Sequence, residues 1–125
     1  MEAWYAFRVR FRLETDSALS LEPSTFVTRC SLEAAEPGTD GWLFFRDHLW
    51  RGEVNDEAHV RRLLSERLGV PVESVSFVGF HLDETYREAL EREIAANLEL
   101  FNAEDVTSVL SKYLGSSLEV TSDTP

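Results

Sequence analysis

The chain is poor in lysine, cysteine and histidine, and each shortage closes off some chemistry. Cys30 is its single cysteine, so no disulfide forms within the chain, and a small core hydrophobe in a reducing cytoplasm is the ordinary role for it. Its three histidines, His48, His59 and His81, each have an acid nearby. Asp56 and His59 alone stand in a known local geometry, three positions apart on the first turn of a helix, and two ligands do not make a metal site. The six glycines are scattered, leaving no phosphate-cradling loop, no G-x-G-x-x-G and no G-x-S-x-G nucleophile elbow. No apolar run approaches the ~20 residues of a membrane span, and Met1-Glu2-Ala3-Trp4 opens without the basic and apolar regions of a signal peptide. These absences leave catalysis, cofactors and metals without support, and they place the chain in the cytoplasm, away from membranes.

What is present is acid. Across 125 residues, 23 acidic side chains against 12 basic ones give a net charge of −11. Eleven of the basic residues are arginine and only Lys112 is lysine. A surface that replaces lysine by aspartate and glutamate, and keeps arginine where a planar bidentate cation is wanted, suits concentrated salt. At about 1 M ionic strength the Debye length is ~3 Å, so charges act at contact or hardly at all.

Hydrophobic periodicity predicts the elements. Tyr5, Phe7, Val9, Phe11 and Leu13 alternate with Ala6, Arg8, Arg10 and Arg12, the period of a half-buried strand. After a loop with Asp16, Ser17 and Pro23, residues 25–32 form a second strand with Phe26, Thr28, Cys30 and Leu32 on one face. The turn-rich stretch from Glu36 to Gly41 leads into an aromatic third strand over 42–50. Asn55 caps a helix bearing Val60, Leu63, Leu64 and Leu68, which Gly69 and Pro71 end. Residues 72–82 make a well-buried fourth strand in which Gly79 marks a bulge or a close backbone approach. Asp83 caps a second helix striped by Tyr86, Leu90, Ile94 and Leu98. Asn102 caps a third, with Val106, Val109, Leu110, Tyr113 and Leu114. Residues 118–120 suit a short fifth strand at an edge, and 122–125 a disordered tail. The expected architecture is a single α+β domain over 1–121. An antiparallel meander plus a fourth strand has two or three helices packed on one face.

The other face of that meander holds the candidate site. With Phe7, Val9, Phe11 and Leu13 turned inward, Arg8, Arg10 and Arg12 line the opposite side about 7 Å apart, and Arg29 joins them from strand two. Turning Leu43, Phe45 and Leu49 inward on strand three sets Trp42, Phe44, Arg46, His48 and Trp50 beside the arginines. Asp47 falls among the inward residues and conflicts with that register. Guanidinium forks grip carboxylate or phosphate, and aromatic rings stack or cap cations. The competing arrangement pairs these arginines with surplus glutamates of the second helix.

Strand three ends in Leu49-Trp50-Arg51. That tripeptide, on an acidic, lysine-poor chain with a β-rich first half, resembles the LWR-salt proteins, a small family of salt-loving archaea named for it. The resemblance implies a salt-rich cytoplasm and transfers Leu49, Trp50 and Arg51 as signature, with no activity, cofactor or catalytic residue. Two functions fit the arginine and aromatic face with Trp50 and Arg51 at its edge. One is an interaction module docking a partner protein or a second copy of the chain. The other is recognition of single-stranded nucleic acid or a nucleotide by stacking on Trp42, Phe44 or Trp50, against which the net charge and the loss of counterion release in salt both work.

Overall fold

Alternation along the first apolar segment produces the strand on which the rest is built. In the computed structural model, which describes residues 1–13 and 24–121, β1 spans Ala3–Leu13 and β2 Ser24–Glu33. The loop with Asp16, Ser17 and Pro23 and the tail 122–125 lie outside the described residues. Phe7 and Val9 are fully buried and Tyr5 nearly so, each such side chain contributing about 1.5–3 kcal/mol. β5, Val72–Asp83, pairs antiparallel with the other side of β1, and β6, Leu118–Thr121, runs parallel to β5. The sheet order is therefore β2-β1-β5-β6. The register of β5 against β1 skips Val78 and Glu73, so β5 bulges twice. Beside the first bulge, Gly79 lets the Ser117 carbonyl come within 3.0 Å of where a Cβ would stand.

Helices α2 (Glu57–Leu68), α3 (Glu84–Ala96) and α4 (Val106–Leu114) cover one face. Their buried stripes, Val60 and Leu64, then Tyr86, Leu90 and Ile94, then Val109, Tyr113 and Leu114, meet Tyr5, Phe7, Phe80 and Leu82 in one core. Asp83 caps α3 as its spacing predicts, accepting from the Tyr86 N–H at 2.8 Å. The other caps shift. Asp56, one residue past Asn55, caps α2, and Asp105 rather than Asn102 caps α4. Leu98 leaves the α3 stripe for a 3-10 turn, Leu98–Leu100.

The aromatic third strand is not formed. Residues 40–43 are turns, α1 is a short helix over Phe44–His48, and only Leu49–Trp50 is extended, as β3, in a hairpin with β4, Glu53–Val54. Leu43, Phe45 and Leu49 share one face of a strand, but Trp42, Phe45 and Leu49 follow i, i+3, i+7 and fit a helical turn, and the helix resolves the inward Asp47, which is exposed. Phe45 and Leu49 are fully buried, as expected, but from a different backbone. The antiparallel trio is thus β2-β1-β5, with β5 in the place expected of a third strand.

Candidate functional site

Because the helices occupy one face, the outward side chains of β1 and β2 remain open. Arg8, Arg10, Arg12 and Arg29 all lie there, and all are exposed. Registers place Arg29 directly opposite Arg8, Val27 opposite Arg10 and Thr25 opposite Arg12. On the other flank β5 sets Ser76 against Arg8 and Ser74 against Arg10. Facing like charges destabilise a sheet, and among the described residues no carboxylate forms an ion pair with any of the four. The glutamates of α3 do not fold back onto this face. Arg87 pairs with Glu91 at 4.0 Å along that helix. Ser74 and Ser76, absent from the sequence-derived site, were legible in the Ser-Val-Ser-Phe alternation of β5.

At the far end of the face Trp4 stacks on His81 at 5.3 Å and 11°, and His81 Nδ1 lies 2.9 Å from Glu119. Trp4 is the ring that shares the arginine face; the aromatics assigned to it from sequence do not. Phe44 packs on Tyr5 at 4.6 Å, on the core side. Trp42 meets Phe45 and Phe101 edge-on. Arg46 is held by Asp47 at 2.9 Å and the Leu100 carbonyl at 3.3 Å. His48 lies between Phe44 and a parallel His59 ring 4.7 Å away, with its Nδ1 buried and unpartnered. Burial, and then the neighbouring His59, hold the His48 pKa below 6.5. Among the described residues no three His, Cys, Asp or Glu side chains converge as metal ligands would.

The Leu49-Trp50-Arg51 segment forms a second constellation. Leu49 is fully buried and anchors the hairpin. Arg51 and Gly52 form its two-residue turn with φ of 52° and 81°, the doubly left-handed geometry that matches strand twist. That turn docks on the C-terminus of α4, whose last carbonyls have no partner within the helix. The Arg51 N–H donates to the Lys112 carbonyl at 2.9 Å and the Gly52 N–H to that of Tyr113 at 3.0 Å. Gly115 and Ser117 N–H groups satisfy Ser111 and Leu114. Trp50 is 42% exposed, edge-on to Tyr113, with the Arg51 guanidinium 5.8 Å and the Lys112 ammonium 5.7 Å from its ring centre. The chain's one lysine is spent here, its Nζ also donating to the Phe101 carbonyl at 3.0 Å. This segment lies on the helix side of the sheet, apart from the arginine face. A model of the LWR-salt protein family matches residues 1–124. No curated protein and no solved structure matches the chain.

Proposed function

The chain belongs to the LWR-salt protein family, whose name carries no activity, and we propose that it is a non-enzymatic interaction module whose open arginine face docks an acidic surface of a partner protein. The opposed Arg8 and Arg29 support this most directly. Their repulsion costs about 0.2–1 kcal/mol and no carboxylate among the described residues offsets it, which makes the pair a place for an external anion. Guanidinium forks grip carboxylates at contact, which concentrated salt does not screen away, and Ser74 and Ser76 add hydroxyl donors on one flank. A symmetric face-to-face dimer is disfavoured, because it would oppose two arginine rows.

Labelled polyglutamate in molar KCl tests the proposal. The wild type should bind it, and the double variant Arg8→Ser, Arg29→Ser should lose about 1–2 kcal/mol, a factor of roughly 5–30. Equal binding by both proteins removes the arginine face from the function. Tighter binding of a single-stranded oligonucleotide than of polyglutamate at the same salt, with quenching of Trp4, would replace the protein partner by nucleic acid.

A further inference from the structure

β2 is an edge of the sheet: β1 occupies one side of its ladder, and among the described residues no strand pairs with the other. It is ten residues long, and Thr25, Phe26, Val27, Thr28 and Arg29 are all exposed. Such an edge presents alternate N–H and C=O groups to any extended chain. The two sides of this edge differ in chemistry. On the outer side stands Arg29, backed by Arg8, with the exposed Glu33 at the end of the strand. On the inner side a cleft of about 580 Å³ opens between the end of β2 and α2, floored by Tyr5, Leu32, Phe44 and Leu63, with Glu66 beside Arg67 at the rim.

A strand laid along β2 sends successive side chains to opposite sides. The one beside Leu32 enters the cleft, its immediate neighbours turn outward beside Ser31 and Glu33, and the residue three positions along turns outward beside Arg29. From this juxtaposition we infer that β2 accepts, by strand addition, an extended partner segment in which acidic and apolar residues alternate, acids outward onto Arg29 and Arg8 and an apolar side chain into the cleft between Leu32 and Leu63. Main-chain hydrogen bonds supply the attachment and the two unlike surfaces supply selectivity. A second copy of β2 is a poor occupant, because the antiparallel register that sets Arg29 against the strand's one acid, Glu33, overlaps only residues 29–33, and longer overlaps leave Arg29 without an acid. The inference rests on the proposed acidic partner and adds the form that partner takes.

The probe is a ten-residue peptide alternating glutamate with leucine, compared in molar KCl with a peptide of the same composition in which the two residues stand in blocks. The alternating peptide should bind roughly tenfold more tightly, and should slow hydrogen exchange of β2 amides while leaving the other edge, β6, unchanged. Leu63→Glu, at a half-buried cleft position, should abolish that preference while leaving polyglutamate binding intact. If both peptides bind equally, β2 is not protected, and Arg8→Ser weakens both, strand addition is overturned and the arginine-face reading stands. If neither peptide nor polyglutamate binds the folded protein, both fall. If the peptide-free protein has doubled mass with β2 amides already protected, a second copy is the occupant and the inference is overturned.

Discussion

His48 concentrates more conflicting physics than any other side chain of the structure. Its ring is stacked on His59 and tilted against Phe44, its Nδ1 is buried without a partner, and burial followed by the His59 charge pushes its pKa below 6.5, while Asp47 and Asp56 pull the other way. The unfolded chain therefore takes up this proton at a higher pH than the native one. Above 6.5 the site contributes no pH dependence, and as pH falls from there toward the lower native value, protons favour unfolding. In molar KCl the melting temperature should fall between about pH 7 and pH 5, and His48→Phe, which keeps the ring stack and removes the proton site, should flatten that decline. An identical slope in both proteins would assign it elsewhere. Asp83 and Asp105 act in a separate window. The Tyr86 and Ser108 N–H groups hold their carboxylates below 3.8, so their contribution is present above that value and lost as pH falls through the lower native one.

The hairpin and α4 show how two elements complete each other. α4 ends with carbonyls that its own chain satisfies only at Ser111 and Leu114, and the Arg51-Gly52 turn supplies the other two donors. Contact is close in both directions: a Cβ on Gly52 would stand 3.0 Å from the Leu114 carbonyl, and one on Gly115 would stand 3.2 Å from that of Arg51. Gly52→Ala therefore meets a left-handed backbone penalty and a clash. It should cost about 1–3 kcal/mol in denaturant unfolding, more than Gly69→Ala, where φ is +74° but nothing lies within 4 Å. Equal costs would show that the turn does not press on α4. The Leu-Trp-Arg signature is thus legible as architecture: Leu49 fills the core, Arg51 turns the chain, and the Trp50 ring lies against the Lys112 ammonium.

Charge governs the molecule as a whole. A net −11 repels itself in dilute buffer, and four of the basic side chains are gathered on the sheet face, which leaves the remaining surface still more one-sided. Raising KCl from low concentration to molar should increase the melting temperature markedly, followed by circular dichroism. A flat or falling curve would remove the salt-adapted reading. No helix among the described residues is long and apolar enough to cross a membrane.

Sequence alone determined the acidity, the arginine row of β1, the stripes of α2, α3 and α4, and the Asp83 cap, because period, composition and capping are set within a few neighbouring residues. It misplaced residues 42–50 because Leu43, Phe45 and Leu49 share one face of a strand while Trp42, Phe45 and Leu49 share one face of a helical turn, and the choice fell to what Trp42 and Phe45 pack against, Phe101 and Tyr113, more than fifty residues away. Tertiary structure alone decided that β5 lies beside β1, that Arg29 faces Arg8, and that a turn at residue 51 caps a helix ending at residue 114. These depend on which distant surfaces exclude water together, and no one-dimensional pattern specifies that partner.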